Sequence, residues 1–390
     1  MAMGKAAYLK KITSGINSQF RSVQLSDKMV GTSPPSVFIG QHGYPKVDIG
    51  PMITTSYGNT MLYDTPEFWI PAGKKQEDIL GFRLQLIRGK TSVGIKDTEH
   101  KTVRDLQEIT LSKYSVDSEI KFREKPSESS FTLNEDFQPY GPSARMEKLA
   151  INPVRWEDKL EKAFYDTDLR AAQAMSSLYE NGVLFSQIQR AISTGCFGIK
   201  KNRKLVPTRW SITATDSHLA NFYYEKVLWS EPMDQNHYEV YEFASLNNYY
   251  AIILLPGPWI YEWIEAFIHI LGKEEMVFGD YERFKPKKEY STVGGCYYTA
   301  KFAVLEALAR KQMHAGALVL REAREGYVPM GVFNVRENVR AAMRQKPKTF
   351  GDFRGALTYV SGKLKLPVSA FVDQGVLLRE LIAGKRQTVL

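Results

Sequence analysis

Arg203-Lys204-Leu205-Val206-Pro207-Thr208-Arg209-Trp210-Ser211-Ile212-Thr213-Ala214-Thr215-Asp216 is the stretch on which the fold of this chain turns. It follows Lys200-Lys201-Asn202 and so opens as a basic run. Pro207 is excluded from a helix interior, and Trp210 and Ile212 alternate with hydroxyl residues, the pattern of a strand. Thr215-Asp216 then supplies a cap for a helix carrying Leu219, Phe222, Tyr223 and Lys226. The expectation is an extended segment that feeds a helix beginning near Asp216. Cationic groups, a large indole and a helix N-terminus would then sit together, a combination suited to a polyanion or a nucleotide. A buried strand with a solvated basic entrance accounts for the same spacing equally well.

Composition sets the bounds around this stretch. The chain has 390 residues, enough to bury a sizeable core in two or more subdomains. Hydrophobic residues make up 43% and charged residues 24%, an ordinary balance for a globular protein. A formal charge of +9 points to acidic partners, nucleic acid foremost. Two cysteines, Cys196 and Cys296, are too few for a disulfide framework or a cysteine-rich zinc site. They fit a reducing interior, where such residues act as small core hydrophobes. The six histidines show no pair at metal-ligand spacing, so no metal site and no cofactor are expected. No apolar stretch follows the basic N-terminus as a signal peptide would require. The most apolar region, residues 249–271, is broken by Pro256-Gly257-Pro258 and charged at Glu262 and Glu265, so no membrane span is expected. The expected location is cytoplasmic.

Taken in order, residues up to about Val30 read as a polar segment with a short helix, ended by Gly31-Thr32-Ser33-Pro34-Pro35. Val37-Phe38-Ile39 and Val47-Asp48-Ile49 read as strands joined through Gly40-Gln41-His42-Gly43-Tyr44-Pro45. His42 between two glycines can meet a phosphate or move a proton; a plain hairpin turn is the favoured reading. Residues 82–88 alternate as a strand, 103–111 suit a helix, 116–122 another strand, and 126–142 a surface loop. Residues 157–180 read as one long amphipathic helix, followed by a second over 184–192. Strands are expected over 238–243 and 249–255. Residues 259–271, apolar on most faces, are expected as a core helix. Phe284-Lys285-Pro286-Lys287-Lys288 is a basic bridge between subdomains. Beyond it come a helix from Cys296, strands at 317–320 and near Val332-Phe333, and helices over 335–343, around 353–360 and near 377–381. The resulting divisions are an N-terminal segment 1–30, an α/β domain 31–283, a second α/β domain 284–384 and a tail 385–390. The fold class is mixed α/β (α+β) with two packed subdomains and open topology.

Gly294-Gly295 opens the helix that carries Tyr297, Tyr298 and Lys301. Lys301 falls in the apolar stripe with Tyr298, Phe302, Leu305 and Leu308, where a charge is costly unless used. Its ammonium and the free N–H groups of the helix start would suit a phosphate. A lysine that snorkels to water is the slightly favoured alternative. Arg321-Glu322, Arg324-Glu325 and Arg336-Glu337 read as structural ion pairs.

Several blocks together resemble the archaeal Nre family of DNA-repair proteins. They are the Arg203–Asp216 stretch, Ser33-Pro34-Pro35-Ser36-Val37-Phe38-Ile39-Gly40-Gln41-His42-Gly43-Tyr44-Pro45, Asp64-Thr65-Pro66-Glu67-Phe68-Trp69, Gly294-Gly295-Cys296-Tyr297-Tyr298-Thr299-Ala300-Lys301 and Pro329-Met330-Gly331-Val332-Phe333-Asn334-Val335-Arg336-Glu337. Their order matches that of the family and they span most of the chain. The resemblance implies a part in DNA repair and contact with the sliding clamp PCNA, without a reaction mechanism. Many members begin with a cysteine-rich zinc motif; this chain reads Ala6-Ala7-Tyr8-Leu9-Lys10-Lys11-Ile12 there. The C-terminus, Gly384-Lys385-Arg386-Gln387-Thr388-Val389-Leu390, resembles the first half of a clamp-binding box, with Gln387 for a polar pocket and Leu390 for an apolar groove. Its two aromatic anchors do not follow, which implies a shortened chain or weak clamp binding.

The leading expectation is a DNA-repair factor that binds DNA through Lys200, Lys201, Arg203, Lys204 and Arg209, and the clamp through Gln387 and Leu390. The alternative is an enzyme acting on a nucleotide or DNA phosphate in a pocket between the central stretch and the Gly294-Gly295 helix. Arg209 and Lys301 would then clamp phosphate, with His42, Asp216 and Tyr297 as candidates for proton transfer, hydrogen bonding or stacking. A clamp-linked scaffold is a third possibility.

Overall fold

In the computed structural model, which describes residues 5, 8, 25–126, 133–270 and 272–384, the Trp210 stretch is helical rather than extended. The helix runs Thr208–Leu228. Pro207 immediately precedes it, where its carbonyl accepts from Ser211 N at 2.9 Å and its missing N–H removes no helical bond. The hydroxyl residues that mimic the polar face of a strand turn back onto the helix: Ser211 Oγ donates to Thr208 O (2.9 Å) and Thr215 Oγ1 to Ser211 O (2.8 Å). Asp216 therefore lies about two turns inside the helix and is buried, so it is not the cap expected of it.

Backbone packing divides the chain into two units, one of Asn17–His218 and one of Met1–Ile16 with Leu219–Leu390. The first, the N-terminal unit, holds β1 (Lys28–Ser33), β2 (Val37–Ile39), β3 (Lys46–Ile53), α1 (Gln76–Leu84), β4 (Ile87–Gly94), α2 (Lys101–Leu111), β5 (Val116–Phe122), β6 (Ser143–Ile151), α3 (Asp158–Tyr165), α4 (Ala171–Glu180), α5 (Phe185–Ser193) and the start of α6 (Thr208–Leu228). Its six strands form one sheet in the order β1-β5-β6-β4-β3-β2. Only β4 and β6 run parallel, with Gly89 opposite Ala144; the other neighbours are antiparallel. Val103, Leu106 and Ile109, spaced along one face of α2, pack with Ile49, Ile87 and Ile120 of the sheet.

Three expectations change here. Residues 28–33 are a strand because β1 pairs along its length with β5, a partner that lies far away in sequence. Residues 82–88 end α1 and then enter β4, so their short alternation spans a helix end and a strand start. The single helix expected over 157–180 is two: Asp166 Oδ1 accepts from Asp168 N (3.1 Å) and Leu169 N (2.9 Å), an aspartate turn that competes with helix continuation.

The C-terminal unit contains β7 (Glu231–Pro232), β8 (Tyr238–Ser245), β9 (Asn248–Leu255), β10 (Ile260–Ile268), β11 (Glu275–Arg283), α7 (Gly295–Arg310), β12 (Met313–His314), β13 (Gly316–Ala323), α8 (Phe333–Met343), β14 (Lys348–Phe350), α9 (Phe353–Ser361), α10 (Val368–Gln374) and α11 (Leu377–Ile382). The main sheet runs β11-β10-β13-β9-β8-β14, and β7 pairs with β12 apart from it. The helix expected at 259–271 is β10, paired antiparallel with β11 and parallel with β13. All nine of its residues are buried. Ile260, Ile264 and Ile268 pack with Phe353, Leu357, Phe371 and Leu377 of α9 to α11, while Tyr261 OH donates to Tyr297 O of α7 (3.0 Å). A strand covered on both faces loses the polar alternation that marks a half-buried one, which is why its sequence mimics a core helix. Val332 and Phe333 lead into α8 rather than a strand. Lys5 belongs to this unit: its Nζ lies 2.5 Å from Glu265 Oε1 and 2.6 Å from Val293 O. The Phe284–Lys288 bridge connects β11 to α7. The class is mixed α/β, as expected. Among the described residues, no helix is long and apolar enough to cross a membrane.

Candidate nucleic-acid interface

The start of α6 is fixed by backbone bonds that gather basic residues. Ile95 N donates to Pro45 O (2.9 Å) and Leu205 N to Ile95 O (2.8 Å), so three segments lie side by side. Ile95 and Leu205 point into the core, and their neighbours Lys46, Lys96 and Lys204 are exposed. Lys200 and Lys201, on the short turn before the segment, are exposed as well. Among the described residues none of these five lysines has a carboxylate within ion-pair distance. Ile39 N donates to Thr208 Oγ1 (2.9 Å), which ties the end of β2 to the first turn of α6.

The β2–β3 hairpin carries the other half of the face. Its tip contains exposed His42, and Gly43 has φ +80°, where a Cβ would approach Lys46 O to 2.7 Å. Tyr44 lies against Trp210 with ring centroids 5.0 Å apart and planes at 54°. Both rings are 44% exposed, an apolar pair held open to solvent beside unpaired cations. Bases stack on such rings and phosphates follow such lysines.

Two residues of the expected basic patch are otherwise engaged. Arg203 donates from Nε to Gly198 O, from Nη1 to Phe164 O and from Nη2 to Asp166 O, each at 2.8 Å, and lies over the Phe164 ring. It holds the end of α3, and burial lowers its pKa. Arg209 Nε meets Asp136 Oδ2 at 2.9 Å and remains partly exposed.

In the C-terminal unit, Lys301 does not snorkel: its Nζ is buried 2.6 Å from Glu282 Oε1. Burial lowers its pKa while Glu282 opposes that fall. Tyr297 OH donates to the same carboxylate at 3.0 Å, and burial, reinforced by Glu282, raises its pKa. Trp259 Nε1 (2.9 Å) and Lys287 N (3.0 Å) complete the surroundings of Glu282. Gln387 and Leu390 lie outside the described residues.

A second cluster in the N-terminal unit went unread in the sequence. Asp64 is buried, with Oδ1 2.5 Å from Arg83 Nη1 and Oδ2 2.8 Å from Arg190 Nη1. Ser36 Oγ donates to Oδ2 at 2.5 Å. Both arginines are buried, and burial lowers the pKa of Arg83, with Asp64 opposing and Arg190 adding to the fall. Nearby, Glu67 accepts from Ser186 N (2.7 Å) and Ser186 Oγ (3.1 Å), joining the 64–69 block to α5. The signal available was convergence: Ser36 and Asp64 sit in two of the blocks that carried the family resemblance, and Thr208 lies in a third.

Sequence comparison extends the resemblance over nearly the whole chain. The family model described as "Archaeal Nre, N-terminal" matches residues 7–270, and "Archaeal Nre, C-terminal" matches residues 282–389. The chain belongs to the archaeal Nre family. Among curated relatives it is 36% identical to "DNA repair protein NreB" of Archaeoglobus fulgidus, covering 99% of this chain and 97% of that protein. It is 34% identical to "DNA repair protein NreA" of the same organism, covering 88% of each. "DNA repair protein NreA" of Haloferax volcanii is 29% identical, over 86% of this chain and 83% of the relative. No solved structure matches the chain.

Proposed function

We propose that this chain is a DNA-repair factor that binds DNA through the face formed by Lys46, Lys96, Lys200, Lys201, Lys204, Tyr44 and Trp210. The relatives' names supply the repair context. The observation that carries the DNA-binding reading is the exposed Tyr44–Trp210 pair bordered by lysines that, among the described residues, have no carboxylate within ion-pair distance. The rings offer a stacking surface to unpaired bases, and single-stranded DNA is therefore the preferred form. Its tail, Gln387-Thr388-Val389-Leu390, recruits it to the sliding clamp PCNA, where the glutamine and leucine enter neighbouring pockets.

Salt titration tests the face. Each phosphate contact with a single strand contributes roughly 0.7 to the slope of log affinity against log salt. A Lys46→Ala, Lys96→Ala, Lys204→Ala variant is expected to lose roughly 2 units of that slope. An unchanged slope rejects the face. Replacing Gln387 and Leu390 by alanine is expected to abolish capture by PCNA, and undiminished capture rejects the tail. Of the candidate groups of the enzyme alternative, Asp216 is buried within α6, the Tyr297 hydroxyl is engaged by Glu282, and His42 is exposed at the β2–β3 tip.

A further inference from the structure

We propose that the cleft above Asp64 is a binding site for a phosphate monoester, with Arg190 and Arg83 as its cationic floor. The cleft lies wholly within the N-terminal unit and is lined by Phe38, Phe137, Gln138, Gln189 and Thr208 around the two arginines. Its enclosed volume is about 20 Å³, room for one water-sized group or a single phosphate oxygen.

Charge and hydrogen bonding in this cleft do not close on themselves. Two guanidinium groups, both at least 95% buried, share the single carboxylate of Asp64, so one positive charge is left over. Every side-chain hydrogen bond of Arg190 among the described residues runs through Nη1, to Asp64 O at 2.9 Å and Asp64 Oδ2 at 2.8 Å. Its Nε is buried with no hydrogen-bond partner among the described residues. Arg83 uses Nε for Pro139 O (2.8 Å) and Nη1 for Tyr63 O (3.2 Å) and Asp64. The Nη2 groups of both arginines thus remain available to a ligand among the described residues.

A buried cation with unmade bonds is expensive unless something anionic arrives to take them. The planar fork of a guanidinium fits two oxygens of a tetrahedral anion, and the monoanionic form would match the one unmatched charge. Phe38 and Phe137, 5.0 Å apart in an edge-to-face pair, line one side of the cleft. Gln138, half-buried, brings to the lining an amide with no side-chain hydrogen bond among the described residues. A phosphate monoester reaches such a place from either a free nucleotide or the end of a DNA strand.

The test uses the full chain and begins with inorganic phosphate, measured on wild type and on the Lys46→Ala, Lys96→Ala, Lys204→Ala variant, so that binding in the cleft is separated from binding on the lysine face. Saturable stabilisation against heat is expected, with thymidine 5′-monophosphate effective and thymidine ineffective. Arg190→Lys keeps a cation for Asp64 but removes the fork, and is expected to weaken phosphate roughly tenfold. Gln138→Glu leaves the Asp64 cluster intact and places a like charge at the cleft; it too is expected to weaken phosphate by roughly tenfold or more. The source is then separated with single strands that end in phosphate or hydroxyl. Tighter binding of the phosphorylated strand, lost in Gln138→Glu, assigns the strand end; a preference confined to the mononucleotide assigns the free nucleotide. Absence of saturable phosphate binding, or equal binding by wild type and a folded Gln138→Glu variant, overturns the proposal.

Discussion

Two buried ion clusters, one from each unit, are built from similar groups and balanced differently; the C-terminal unit buries others besides, such as Glu265 between Lys5 and Arg321. In the C-terminal unit, Glu282 receives Lys301, Trp259, Tyr297 and a backbone N–H, so one cation meets one anion and both carboxylate oxygens are occupied. In the N-terminal unit, Asp64 is shared between Arg83 and Arg190, and cationic hydrogen-bonding capacity is left over. The first arrangement has nothing further to offer a ligand and serves the packing of β10, β11 and α7. The second holds the fold together and still presents unused donors to a cleft. Buried charge is therefore no marker of function by itself; the residual balance is what separates a structural pair from a binding site.

The largest effect that can break this contrast is on stability. Asp64→Asn leaves two buried guanidinium groups without their anion, and Glu282→Gln leaves Lys301 in the same position. Each is expected to cost about 3–5 kcal/mol in chemical denaturation. The contrast lies in rescue: inorganic phosphate should restore part of the loss in Asp64→Asn and none in Glu282→Gln. Equal rescue, or rescue of neither, would mean that the two clusters differ in composition alone.

Aromatic pairs sharpen the same comparison with an intermediate effect. Trp259 and Tyr261 stack with centroids 5.8 Å apart and planes within 5°, and both are buried. Tyr44 and Trp210 are closer still, at 5.0 Å, but exposed. Trp259→Ala is expected to cost about 3–5 kcal/mol of stability, as large core truncations do. Trp210→Ala should change stability little and weaken single-stranded DNA by about 1–3 kcal/mol for each base it stacks. Denaturation curves and binding isotherms on the same two variants read both quantities. A Trp210→Ala protein that binds DNA as wild type removes the stacking role.

These contrasts also show what the sequence could disclose. Strands with one solvated face, such as β5, declare themselves: Val116, Ser118, Ile120 and Phe122 point inward while Asp117 and Lys121 are exposed. β10 does not, because burial of both faces erases its period. The helix at Trp210 was hidden because its serine and threonine side chains satisfy carbonyls of the preceding turn, and their spacing mimics strand alternation. The basic character of the candidate face was legible at Lys200, Lys201 and Lys204. Lys46 and Lys96 were not, since they join the face only through the backbone bonds that align Pro45, Ile95 and Leu205. The Asp64 cluster is harder still: Ser36, Asp64, Arg83 and Arg190 are scattered over the sequence, and only tertiary contact gives them a common meaning.

The smallest expected effect is a pH dependence that each unit carries through one histidine. His218 Nε2 lies 2.8 Å from Ser176 Oγ, and burial lowers its pKa against a backbone hydrogen bond at Ala172 that raises it. His314 in β12 is lowered by burial alone, and its Nε2 is buried with no hydrogen-bond partner among the described residues. In both cases the unfolded chain takes up a proton near its ordinary value of 6.5 while the folded chain resists it. Between those two values the unfolded state binds more protons, so stability is full above pH 6.5 and falls as the pH drops through the folded pKa. His218 has a serine to share its neutral form, and His314→Gln should therefore flatten the acid side of the stability profile more than His218→Gln does. Hydrogen exchange followed separately in the two units from neutral to mildly acid pH measures this. Profiles that fall equally steeply in both variants and the wild type would show that neither buried imidazole governs the acid response, and would move that role to carboxylates such as Asp280. Burial raises the Asp280 pKa, but its bonds to Lys287 and Ser291 outweigh that and hold it below the usual range. Its contribution is present above about the ordinary carboxylate value and disappears only at more acid pH, as its own lowered pKa is crossed.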